Sequence, residues 1–129
     1  MAVQIGADVV IDDNKNLTNI VGANGRYDSF YPNVDVVSSG SLININMNTP
    51  FMDLDLGENA NLSVTNKALG KTAVLLLDTQ TNPYVPNFDN DVKWPADTEP
   101  TWGDHRYWTV ALVCWDAINV RATAVGYDS

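Results

Sequence analysis

The sequence predicts an all-β domain, and three observations carry that prediction. Apolar and polar residues alternate through Ile43-Asn44-Ile45-Asn46-Met47, Met52-Asp53-Leu54-Asp55-Leu56 and Ala60-Asn61-Leu62-Ser63-Val64. That spacing places successive side chains on opposite faces of a strand. Turn-forming clusters separate the runs about every 8 to 12 residues, as in an antiparallel sandwich or barrel. No segment sustains the stripe of an amphipathic helix, which repeats about every 3.6 residues. The predicted architecture is a small antiparallel β-sandwich, jelly-roll-like, over residues 22–129, behind a short N-terminal arm over residues 1–21.

In the arm, Val3, Ile5, Ala7, Val9 and Ile11 alternate with Gln4, Gly6 and Asp8 until Asp12-Asp13-Asn14 interrupts with turn residues. Leu17 and Ile20 follow. This strand has no local hairpin partner, so its edge is expected to pair with a neighbouring chain. Val3, Ile5, Val9, Ile11, Leu17 and Ile20 are therefore the candidate residues for attachment to another subunit or another protein. Gly22 to Pro32 is a connector, Val34, Val36 and Val37 a brief extended piece, and Ser38-Ser39-Gly40 a turn. Thr72 to Asp78 reads as a central strand because Val74-Leu75-Leu76-Leu77 is apolar on both faces. Thr79 to Phe88 carries Pro83 and Pro86 and is confined to an edge strand or loop, since proline cannot donate to a ladder. A further run, Trp108 to Trp115, and a closing one from Ile118 complete the domain.

A chain of 129 residues makes one domain and buries roughly two thirds of its unfolded surface. Its formal charge of −9 and seven scattered basic residues, from Lys15 to Arg121, argue against nucleic acid, which requires clustered Lys and Arg. No apolar run approaches the roughly 20 residues of a membrane helix, so no membrane insertion is expected. The N-terminus lacks a basic-then-apolar leader, so export by the secretory route is not expected either. The single cysteine, Cys114, excludes an internal disulfide and reads as a buried, inert thiol among Val113 and Trp115.

Few residues suggest catalysis. Asp53 and Asp55 share a strand face roughly 7 Å apart, a separation used by inverting glycosidases. The polar side of an amphipathic strand is the commoner origin of such a pair, and nothing in the sequence places a desolvating pocket beside them. Asp89-Asn90-Asp91, with Asp97 and Glu99, could gather oxygen ligands for calcium, but EF-hand spacing is absent and an Asn/Asp turn accounts for the same residues. His105 is the only histidine, so neither a zinc site nor a triad can be assembled. No metal and no cofactor are expected. Trp94, Trp108 and Trp115 adjoin apolar runs and are expected in the core. Trp102 lies in a loop without apolar neighbours. With Asp104, His105 and Arg106 it forms the candidate binding set, an exposed ring able to stack on a sugar or anchor a protein contact, the alternative being a ring folded back over the sandwich end.

The stretch Asp91 to Tyr127 resembles the C-terminal β-domain of bacteriophage tail-fibre proteins. Those domains carry a Val-Lys-Trp-Pro corner, a proline some five residues later and a final two-stranded hairpin with aromatics near its turn. Val92-Lys93-Trp94-Pro95, Pro100 and Trp115-Asp116 match. Asp12-Asp13-Asn14-Lys15-Asn16-Leu17-Thr18-Asn19-Ile20 is similar to a segment that precedes such domains. Two places depart from the pattern: Ala96-Asp97 and Ala117-Ile118-Asn119 stand where the family usually has glycine. The resemblance implies a non-enzymatic virion structural protein, made in the host cytoplasm, homotrimeric, and exposed on the particle surface. Its partners would be baseplate or tail proteins and host-envelope glycans. A trimeric capsid decoration protein, attached by the arm to the major capsid protein, and a carbohydrate-binding module are the alternatives.

Overall fold

The computed structural model describes residues 34–128, so the arm with Val3, Ile5, Val9, Ile11, Leu17 and Ile20 lies outside the described residues. Nine strands follow in order: β1 (Asp35–Val36), β2 (Leu42–Asn46), β3 (Phe51–Asp55), β4 (Ala60–Thr65), β5 (Thr72–Asp78), β6 (Pro86–Phe88), β7 (Val92–Lys93), β8 (Tyr107–Cys114) and β9 (Val120–Tyr127). They make a six-stranded sheet in the order β1-β3-β5-β8-β9-β7 and a three-stranded sheet in the order β2-β4-β6. The all-β class holds.

The pairing differs from the antiparallel expectation. Five of the seven strand pairings are parallel; only β5–β8 and β8–β9 are antiparallel. From β1 to β6 the chain alternates between the sheets, each turn laying one strand beside its predecessor in each sheet. The physical reason lies at the corners. Alternation fixes which side chains point inward, but a short turn serves a hairpin and a corner between facing sheets equally well. Here Gly57-Glu58-Asn59 is such a corner: Leu56 stays buried, and its N–H donates to the Asp78 carbonyl at 2.9 Å. Each winding strand thereby finds its partners a full turn away in the sequence.

Both sheets contribute inward residues to one core. Ile43, Ile45, Leu62 and Val64 come from the smaller sheet; Met52, Leu54, Leu75, Leu77, Val110 and Leu112 come from the larger. Cys114 is buried among them, as its apolar run implies. The Pro86 strand β6 lies at an edge of the three-stranded sheet, where its missing N–H costs no ladder bond. The hairpin β8–β9 lies inside the larger sheet, between β5 and the edge strand β7. Thr79, fully buried, ties β5 to it: its N–H and hydroxyl both donate to the Arg106 carbonyl at 2.9 Å.

Candidate functional site

The loop after the Trp-Pro corner folds back over one end of the core. Trp102 is only 5% exposed. Its ring lies 5.7 Å from Phe88 in a stacked arrangement and meets Trp94 and Trp108 edge-on at 5.6 and 5.0 Å. The Trp102 indole donates to Glu99 at 2.8 Å, and Trp108 donates to the His105 carbonyl at 2.9 Å. The expectation of an exposed Trp102 is therefore corrected: a ring without apolar neighbours in sequence finds three aromatic ones in space. Trp115 is the reverse case, 55% exposed with the Arg121 guanidinium 3.7 Å above its ring. Residues 108, 110, 112 and 114 point inward along β8, so the next odd position continues the outward side.

The corner itself is strained. Ala96 and Asp97 both adopt left-handed backbone conformations, with φ of 52° and 54°, a region that costs an L-residue roughly 1–2 kcal/mol. Two successive turn bonds hold them there, from Asp97 N–H to the Trp94 carbonyl and from Thr98 N–H to the Pro95 carbonyl, each 3.0 Å. The Ala96→Gly/Asp97→Gly double variant is expected to gain about 1 kcal/mol, because glycine occupies this region without a Cβ clash. Chemical denaturation measures the gain, and a loss of stability would show that the two side chains hold the corner by contacts of their own.

Of the candidate binding residues, Asp104, His105 and Arg106 do come together, on the rim of a surface cleft that Gln80, Thr81 and Asp128 complete. The cleft is polar and well braced. Arg106 forks onto Asp78 at 2.8 and 3.0 Å, and its guanidinium reaches the Gln80 amide oxygen at 3.4 Å. Gln80 sits at φ 74° with its N–H bonded to Asp78. His105 Nδ1 lies 2.7 Å from an Asp128 carboxylate oxygen, and its ring meets Trp108 edge-on. Gly126 makes that ring position possible, since a Cβ there would come within 2.3 Å of the imidazole. Sequence reasoning missed Gln80, Thr81 and Asp128. They lie some 25 residues from the loop, and only the β5–β8–β9 register brings them to it.

The acidic residues have structural work. Asp55 and Asp78 are register partners on the outer side of the larger sheet, with Asp53 nearby. The bond from Arg106 holds the Asp78 carboxyl below the usual carboxylate range, whereas burial, then the charges of Asp53 and Asp78, push Asp55 upward. The signs therefore oppose. A depressed Asp78 stabilises the fold above the unfolded pKa, near 3.9, and that stability is lost as pH falls through the folded value. A raised Asp55 destabilises at neutral pH, and the cost disappears as pH falls through its raised value. Asp55→Asn is thus expected to raise the melting temperature at pH 7, with the advantage shrinking on acidification. A pH series of thermal melts checks this, and a constant difference would remove the electrostatic explanation. Asp89 accepts bonds from the Val64 and Asp91 N–H groups at 3.1 Å each, while Asp91 pairs with Lys67 at 2.9 Å. Among the described residues no three His, Cys, Asp or Glu side chains are grouped to hold a metal ion.

The two outer sheet surfaces are chemically unlike. The three-stranded sheet presents Asn44, Asn61 and Ser63 around a single exposed leucine, Leu42, whereas the six-stranded sheet presents Leu76, Val113 and Val125, each exposed. No helix of the described residues is long and apolar enough to cross a membrane. No family model, curated protein or solved structure matches the chain.

Proposed function

We propose that this chain is a non-enzymatic structural protein of a bacteriophage particle. In this reading it resembles the terminal domain of tail fibres, assembles as a homotrimer on the virion surface and contacts glycans of the host envelope. One observation carries the reading. At Ala96-Asp97, where tail-fibre domains usually have glycine after the Val-Lys-Trp-Pro corner, the backbone takes the left-handed conformation that glycine accommodates best. The chain departs from the pattern in residue type and keeps it in geometry. The matching residues are also coupled physically: Trp94 of the corner packs on Trp102, and β7 before the corner pairs with β9 of the terminal hairpin.

The cleft of Gln80, Thr81, Asp104, His105, Arg106 and Asp128 supplies the glycan contact. Its amide, hydroxyl, guanidinium and carboxylate groups combine donors and acceptors, which suits sugar hydroxyls that do both. Purified protein on a glycan array, paired with a reducing-sugar assay, tests this. The expected result is binding to a subset of envelope glycans, weakened by Asp104→Ala and Gln80→Ala, without release of reducing ends. Hydrolysis would contradict the non-enzymatic reading, and an absence of binding would contradict host contact through this cleft.

A further inference from the structure

We propose that the outer face of the six-stranded sheet is the surface through which copies of this chain associate; this deepens the homotrimer reading and rests on it. Register sets the composition of the face. One cross-strand row is Asp53, Leu76, Thr109 and Val125; the next toward the hairpin tip is Phe51, Val74, Ala111 and Thr123. Both rows are almost wholly apolar or hydroxyl-bearing, on the side of the sheet turned away from the core.

Size argues for a protein partner. With about 4.8 Å between strands and ~3.3 Å per residue, β3, β5, β8 and β9 spread a face of roughly 19 by 25 Å, on the order of 450 Å² before side-chain relief. The whole face is more than half of the ~800 Å² each partner contributes to a specific interface, and its two apolar rows, about half of it, approach the ~300–600 Å² typical of the largest patch on a monomer. Val113, Trp115 and Ile118, all exposed, extend it at the hairpin end.

Charge argues that the partner is another copy. The chain carries −9 overall, so like copies repel except where surfaces complement each other. On this face the charges sit at opposite corners. Asp53, Asp55 and the Arg106-paired Asp78 occupy the β3–β5 corner, and Arg121, with its register partner Lys93, the β9 end beside Val113. A head-to-tail contact sets the Arg121 corner of one copy against the acidic corner of the next. Heterologous contacts close into a ring when the rotation between copies divides the circle, and the homotrimer reading requires a rotation of one third. The same acidic corner opposes nucleic acid and anionic lipid.

The test is the mass of the full chain by light scattering across micromolar concentrations, for the wild type and for Leu76→Glu/Val125→Glu. The expected masses are near three chains and one chain, with circular dichroism unchanged. The milder Leu76→Ala/Val125→Ala pair, which adds no charge, should weaken association at least tenfold and guards against a folding defect in the first variant. A trimer that neither pair disturbs would overturn this interface and leave the homotrimer reading standing. A wild-type monomer would overturn both and leave the face for residues 1–33 or a different protein.

Discussion

Trp102→Ala is expected to destabilise the domain by about 3–5 kcal/mol, the range for deleting a buried aromatic ring. The ring touches Phe88, Trp94 and Trp108, so its loss opens a cavity under the loop and removes the contact that holds the corner against the hairpin. It also frees the Glu99 carboxylate from its indole partner. Trp115→Ala is expected to stay within roughly 0.5 kcal/mol in the monomer, as for other surface substitutions, because its ring is 55% exposed beneath the Arg121 guanidinium. Urea unfolding followed by circular dichroism compares the two. Equal losses would place both rings in the core, and a larger loss at Trp115 would invert the arrangement of the hairpin.

The second large effect comes from two adjacent leucines. Leu75 is fully buried and Leu76 is 38% exposed, although each is flanked by apolar residues. Leu75→Ala is expected to cost about 2–5 kcal/mol, the range for a leucine deleted from a packed core. Leu76→Ala is expected to cost roughly 0.5 kcal/mol in folding and to reveal itself in association instead. A strand displaced by one residue would exchange the two values, because the side-chain period is two. Unfolding midpoints at a fixed, low protein concentration, with both the parent and the variants monomeric, separate folding from assembly. Comparable losses at both positions would mean that the outer surface of β5 is packed within the single chain.

Much of the fold was legible in local pattern. Alternation through Ile43–Met47, Met52–Leu56 and Ala60–Val64 identified the inward residues of three strands, and each of these apolar residues is buried. Prolines marked the Pro86 strand as an edge. What alternation does not encode is the identity of the neighbouring strand. Asp53 pairs with Leu76 and Asn44 with Ser63, and nothing local separates that winding from a series of hairpins. The site was legible only in part. Asp104, His105 and Arg106 do line one cleft, but Trp102 left the surface because its partners are remote in sequence. Trp115 was readable by parity: four inward even positions precede it on β8. Hydrophobicity of the neighbouring residues was the weaker guide there.

The position of the protein on a particle bears most directly on the function proposed. Immunogold labelling of intact virions with antibody against the full chain measures it, since tail and capsid shell are distinct by electron microscopy. The expected result is gold at the outer ends of the tail fibres. Gold distributed over the shell would contradict the tail-fibre reading and favour capsid decoration, and virions that carry no label while the infected cell contains the protein would contradict a structural role altogether.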